Sequence, residues 1–227
     1  MTEEKRRDKK LLILGDSHAH VFALLSEDIG AEVTLVKRSS CTAYGINNPN
    51  SETQSNKFFL DSLKDEKQPD YICFHLGEVD CRSLTHKKGL KNYKETLTQS
   101  VNNLVEFIRT NLTKHPPQKI VLLHPPLTKS VEPQMNHPIH TPDAPAYEEV
   151  SLRLLTNFTF YFCDKLDEAA ARHGWISFGI NNEILDPKTG IVRKEMRERV
   201  HIDKWHLDRT QDIVRSEWIK KIKQHLF

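Results

Sequence analysis

The chain has 227 residues, with 33 basic and 31 acidic side chains and a formal net charge of +2. This length suits one α/β domain better than two, and a hydrophobic content of 37% is typical of a globular protein. Because the charge is nearly balanced, nothing suggests nucleic acid or an anionic membrane as a partner. The length predicts a single domain over residues 10–227. The charged residues at the start of the sequence predict a flexible tail over residues 1–9.

The chain contains four cysteines, and none of them belongs to a CxxC pair. This spacing does not indicate a zinc site, so we expect neither a metal nor another cofactor. The first ten residues are charged and lack the apolar core of a secretory signal. No stretch reaches the ~20 apolar residues of a membrane helix. These features predict a cytoplasmic protein, and they leave its oligomeric state open.

Hydrophobic periodicity predicts strands that alternate with helices along the chain. In chain order, the prediction is strand 10–14, a helix through 21–25, strand 31–36, helix 58–63, strand 71–76, helix 92–114, strand 119–123, helix 147–172, strand 175–178 and helix 207–226. Two stretches, 39–56 and 125–145, are predicted as long loops, and loops of this length are often functional. The alternation predicts an α/β protein with a parallel sheet in a three-layer α/β/α sandwich.

The most informative motif is Gly15-Asp16-Ser17-His18, which follows the apolar run of the first strand. Four apolar residues followed by glycine and aspartate predict a buried strand that ends in a tight turn. Such a turn can hold a serine hydroxyl at the carboxyl end of a parallel strand, where open α/β sheets form their binding sites. Ser17 is therefore a candidate nucleophile.

A second motif, with Asp203 and His206, lies near the end of the sequence. A serine hydroxyl is a weak nucleophile at neutral pH and needs a base that takes its proton. His206 can be this base, and Asp203 can bind the far imidazole nitrogen and fix its tautomer. A central first strand would bring both motifs to the same edge of the sheet.

These motifs resemble those of the SGNH hydrolases, also called GDSL-type esterases. That superfamily has a motif like Gly-Asp-Ser-Leu, a glycine after the second strand, a Gly-x-Asn-Asp motif after the third strand, and a late Asp-x-x-His. In the same order, this chain has Gly15-Asp16-Ser17-His18, Gly45, Gly77-Glu78-Val79-Asp80 and Asp203-Lys204-Trp205-His206. The resemblance spans about residues 11–207 and implies a flavodoxin-like fold with about five parallel strands in the order 2-1-3-4-5.

The resemblance implies a role for each matching residue. Ser17 would be the nucleophile, His206 the general base and Asp203 the residue that orients the base. The backbone N–H groups of Ser17 and Gly45 would donate to the oxyanion. No metal ligand and no cofactor are implied.

The third oxyanion donor of the superfamily, an asparagine, is absent from this chain. One alignment places Val79 at that position, and the other places Asp80 there. Losing one such donor costs about 10²–10³ in rate. Arg82 always carries donors and either pairs with Asp80 or points at the reacting oxygen. The segment 76–82 resembles a subgroup with a Gly-Glu-x-Asp-Cys-Arg signature.

Structural roles for several of these residues also stay open. Glu78, Asp80 and Arg82 can form an ion-pair cluster, and His18 can cap or pack at the start of the first helix. Asp16 can accept hydrogen bonds from backbone amides in the turn. This role is favoured over metal binding because the spacing of the nearby acids and histidines matches no standard metal set.

The leading hypothesis is a serine hydrolase that cleaves an acyl or acetyl ester of a small polar or carbohydrate substrate. Its assigned residues are Ser17, Asp203 and His206 for catalysis, with Gly45, Asp80 and Arg82 at the oxyanion or the substrate. An acyltransferase on the same residues is one alternative. A binding module that kept the fold and lost the chemistry is another, and the missing asparagine motivates it.

Overall fold

The computed structural model describes residues 9–65, 68–127, 145–197 and 212–227. A sheet of five parallel strands in the order β2-β1-β3-β4-β5 forms its centre, which confirms the predicted order. The strands are β1 (Lys9–Gly15), β2 (Ala31–Lys37), β3 (Tyr71–His75), β4 (Ile120–Leu123) and β5 (Ile176–Phe178). A small antiparallel hairpin pairs β6 (Leu185–Asp186) with β7 (Ile191–Val192).

The helices of the described part of the chain fill the connections between the strands. They are α1 (Ser26–Ile29), α2 (Ser55–Asp65), α3 (Thr85–Lys88), α4 (Tyr93–Asn111), α5 (Pro145–His173), α6 (Asn181–Ile184), α7 (Lys194–Arg197) and α8 (Asp212–Leu226). A 3-10 helix (Ser17–Leu24) precedes α1, and a π-helical turn (Asp80–Leu84) precedes α3. None of the described helices combines the length and the apolar character needed to cross a membrane.

The alternation of side chains along the strands divides the core between the two faces of the sheet. On one face, Leu12 and Leu14 of β1 belong to a cluster with apolar residues of α2, α4 and α5. On the other face, Leu11 and Ile13 belong to a cluster with residues of the 3-10 helix, α1 and α8. Both faces of β1 are therefore buried, which explains its continuous apolar run.

The structure corrects the sequence prediction at short elements. The helix expected through 21–25 is a 3-10 helix that already starts at Ser17 and is followed by α1. The hairpin, α3, α6 and α7 lie in stretches without a predicted element, because elements of two to four residues are too short to show a period. The predicted loop 125–145 lies outside the described residues between 128 and 144.

Candidate active site

Ser17 is the first residue of the 3-10 helix and follows the carboxyl end of β1. Asp16 caps this helix because its Oδ1 accepts the backbone N–H of His18 at 2.8 Å. This contact confirms the predicted role of Asp16 in the turn. Gly15 is needed before it, since a Cβ at that position would lie 2.7 Å from the carbonyl oxygen of His75.

A cavity of about 520 Å³ opens beside Ser17. The start of the 3-10 helix, the loop after β2 and the segment after β3 line it. Its hydroxyl-bearing side chains are Ser17, Ser39, Ser40, Thr42, Thr53 and Ser83, and its charged or imidazole side chains are His18, Glu52, Arg82 and Lys87. The apolar side chains Val79 and Leu84 complete the lining. The cavity therefore offers a ligand many hydroxyl and charged groups beside an apolar surface.

Glu78 is buried and binds two of the residues that line the cavity. Its Oε1 accepts the Nε–H of Arg82 at 2.6 Å, and its Oε2 lies 3.2 Å from Nε2 of His18. Burial opposes the ionisation of Glu78, but the neighbouring His18 and Arg82 outweigh it and lower the pKa of Glu78 to about 2. Burial also opposes protonation of His18, yet Glu78 raises the pKa of His18 above its ordinary value.

Asp80 stands apart from this cluster, contrary to the alternatives that pair it with Arg82. Its side chain is fully buried, and its two oxygens accept the backbone N–H groups of Ala43 and Tyr44, each at 2.9 Å. Burial raises the pKa of Asp80 against the effect of these bonds. Asp80 is not among the described residues that line the cavity, so its contacts favour a structural role over the predicted one at the oxyanion or the substrate. It holds the loop after β2 in place.

Gly45 also has a structural contact where a donor to substrate was expected. Its backbone N–H donates to Oγ1 of Thr42 at 3.0 Å. The loop lines the cavity through Ser39, Ser40, Thr42, Glu52 and Thr53 instead. The backbone of Ser40 has a left-handed φ of 60°. The sequence did not point to Ser40, because a residue in this conformation is normally signalled by glycine.

The remaining predicted site residues, Asp203 and His206, lie outside the described residues. The hydrogen bonds of the predicted triad therefore stay a prediction. Within the described ranges, no group of three or more histidine, cysteine, aspartate or glutamate side chains could hold a metal ion. The described part of the site consists of Ser17 after β1, a cavity lined by hydroxyl-bearing and charged side chains, and a buried ionic cluster beside it.

No protein-family model matches the sequence, and no curated protein matches it either. Among solved structures, the chain is similar to an aryl esterase of M. smegmatis, with a TM-score of 0.59 and 14% identity over 96% of this chain and 100% of the other. A carbohydrate acetylesterase of Sinorhizobium meliloti, Est24, gives a TM-score of 0.58 and 16% identity over 97% and 100% of the two chains.

A Desulfitobacterium hafniense protein assigned to the G-D-S-L lipolytic family gives a TM-score of 0.55 and 12% identity over 95% and 99% of the two chains. At identities this low, the likeness concerns the fold. What this chain shares with these proteins is an α/β fold, which here has a parallel sheet in the order 2-1-3-4-5 with helices around it.

Proposed function

We propose that this protein is an ester hydrolase that uses Ser17 as its nucleophile. The observation that carries the proposal is the position of Ser17, which follows the carboxyl end of β1 and lines a cavity with hydroxyl-bearing and charged side chains. His206 would take the hydroxyl proton, and Asp203 would orient His206. The superfamily resemblance of these motifs supports the assignment, as does a fold shared with esterases.

The reaction would proceed through an acyl-enzyme. Oγ of Ser17 attacks the ester carbonyl carbon while its proton passes to His206, and the carbonyl π electrons move to the oxygen. The tetrahedral intermediate then expels the alcohol, which takes the proton from His206. A water molecule, deprotonated by the same imidazole, releases the acid and restores the serine.

The lining of the cavity supports a small acyl or acetyl group on a polar alcohol such as a carbohydrate. Hydroxyl and charged side chains can bind the hydroxyl groups of such an alcohol. Val79 and Leu84 are the two apolar side chains of the described lining, and they can contact a short acyl group. One of the similar structures, Est24, is a carbohydrate acetylesterase, which agrees with this substrate class.

The first experiment combines a fluorophosphonate probe with a panel of p-nitrophenyl esters of increasing acyl length. Wild type is expected to be labelled and to prefer acetate, and Ser17→Ala should lose both labelling and turnover. Ser62→Ala is the matched control, because Ser62 lies on α2 and its hydroxyl donates to the carbonyl of Phe58 in the same helix. Unchanged turnover by Ser17→Ala would end the proposal.

A transfer reaction is the second candidate, and the number of hydroxyl side chains around the cavity favours it. These groups could bind an acceptor alcohol in place of water within a cavity of about 520 Å³. Product analysis with p-nitrophenyl acetate and added sugars distinguishes the two reactions. Both reactions release p-nitrophenol. Acetate as the sole acetyl-bearing product at every sugar concentration would rule out transfer.

A further inference from the structure

The proposed site leaves open which side chain replaces the asparagine as an oxyanion donor. An ester hydrolase must stabilise the negative charge that develops on the carbonyl oxygen. The superfamily uses an asparagine side chain for part of this task, and neither candidate position supplies one here. The side chain of Val79 has no donor, and Asp80 is buried away from the cavity with both oxygens accepting hydrogen bonds.

Two other side chains that line the cavity with Ser17 carry suitable donors. His18 and Arg82 both line the cavity, although their side chains are only 6% and 11% exposed. Glu78, which is 1% exposed, contacts both of them from outside the cavity lining. One buried carboxylate thus binds two cationic side chains that line the same cavity as Ser17.

We infer that the pair His18 and Arg82, held by Glu78, supplies the donors that bind the oxyanion in place of the missing asparagine. This inference rests on the proposed ester hydrolysis at Ser17. Glu78 is then a positioning residue, because it reaches the reacting oxygen only through its two partners. No proton needs to leave the cluster, since the pair acts by hydrogen bonds and charge while His206 carries the proton.

Glu78 also makes the close approach of two positive groups possible. Without it, a protonated His18 and Arg82 would repel each other in a largely buried position. Among the described residues, the charged groups that act on His18 include Glu78 and Arg82 from the segment after β3 and Asp16 from its own turn. Glu78 and Asp16 favour the imidazolium, Arg82 disfavours it, and the pKa of His18 is raised as a result.

This arrangement predicts a specific pH dependence of kcat. The rate falls as pH rises through the raised pKa of His18, because deprotonation removes one positive donor. In Glu78→Gln, the loss of the carboxylate lowers the pKa of His18, and the fall in rate moves to lower pH. In His18→Gln, this fall disappears. A purely structural role of Glu78 would leave the pH at which the rate falls unchanged.

The test measures kcat and KM of Glu78→Gln, His18→Gln and Arg82→Lys with p-nitrophenyl acetate between pH 5 and 10. We expect kcat to drop by about 10²–10³ in the first two variants with KM little changed. Arg82 donates to Glu78 from both Nε and Nη2. Arg82→Lys keeps the charge but loses this paired contact, so it should retain part of the rate. Glu183→Gln is the control, because it breaks the 2.8 Å ion pair with Lys221 on α8.

Thermal unfolding of each variant separates loss of fold from loss of charge stabilisation. Folded variants with wild-type kcat and an unchanged pH profile would overturn the inference, even if Ser17→Ala is inactive. Should Glu78→Gln fail to fold, the rates of Arg82→Lys and His18→Gln decide in the same way. A wild type that neither hydrolyses the esters nor reacts with the fluorophosphonate overturns the proposed function itself, and the inference with it.

Discussion

Gly77 lies directly against the ring of Phe162. Its φ of +125° belongs to a region that side-chain-bearing residues rarely adopt, and a Cβ there would come within 2.3 Å of Cε1 of Phe162. Phe162 is fully buried in α5. This contact packs the segment that carries Glu78 against the helix layer. The position of the ionic cluster therefore depends on having a glycine, which has no Cβ, at residue 77.

Gly77→Ala should therefore destabilise the protein by about 2–5 kcal/mol, since backbone strain and overpacking add. Urea unfolding measures the loss. Gly30→Ala is the control, because Gly30 has a φ of +65° but a Cβ added there would meet no described atom within 4 Å, and its cost should be about 1 kcal/mol. Equal costs for the two variants would contradict the steric argument.

Asp80→Asn should disturb the loop after β2. An amide can accept only one of the two N–H groups of Ala43 and Tyr44, and its own NH₂ would face the other. We expect a loss of about 1–3 kcal/mol in stability. Because the same loop lines the cavity, kcat/KM should fall by about 10²-fold. The exposed Asp61→Asn, 3.5 Å from Lys64, should change neither quantity measurably.

The sequence was sufficient to predict the elements in which a hydrophobic pattern continues over many residues. The buried strand β3 and the amphipathic helix α4 were predicted to within a few residues, because their apolar spacing leaves little choice of structure. The order of the strands came from the resemblance of the motifs, since alternation alone does not fix which strand is central.

The site was predicted only where a local signal exists. The position of Ser17 after β1 could be predicted, because an apolar strand followed by a glycine-bearing turn is visible in consecutive residues. The pairing of His18 with Glu78 depends on how β1 and β3 lie side by side, and no local pattern encodes it. The same is true of Asp80, whose partners belong to a loop distant in sequence.

His75 should make the folded state sensitive to acid. Its ring is buried edge-on against Phe22 and Trp218, and burial lowers its pKa from 6.5 to about 3. As the pH falls, His75 therefore binds a proton in the unfolded state at a higher pH than in the folded state. The stability from the neutral ring is complete above pH 6.5 and declines as pH falls towards 3, by about 1.4 kcal/mol per pH unit in the steep range.

Urea unfolding between pH 4 and 7.5 tests this expectation. His75→Leu should lose less stability on acidification than wild type. His115→Leu should show the same effect more weakly, because burial also lowers the pKa of His115 but this site is partly exposed. Parallel curves for wild type and His75→Leu would show that another group causes the acid sensitivity.

Asp16 should give stability a pH dependence opposite to that of His75. Burial is the main reason that its pKa rises from 3.8 to about 7; His18 opposes the rise and the nearby Glu78 adds to it. The folded state then holds the proton more tightly than the unfolded state. The stability from the protonated carboxyl is complete below pH 3.8 and is lost as pH rises through 7. Asp16→Asn removes this loss and keeps an oxygen for the N–H of His18.

At pH 8 we therefore expect Asp16→Asn to be more stable than wild type by about 1 kcal/mol or more, and the difference should shrink towards pH 4. Asp28→Asn is the control, because Asp28 is partly exposed and pairs with Arg215 at 2.7 Å, so its loss should stabilise the protein at neither pH. If wild type is instead the more stable protein at pH 8, the prediction is wrong. The folded state then stabilises the ionised carboxylate of Asp16, and the turn before Ser17 depends on its charge.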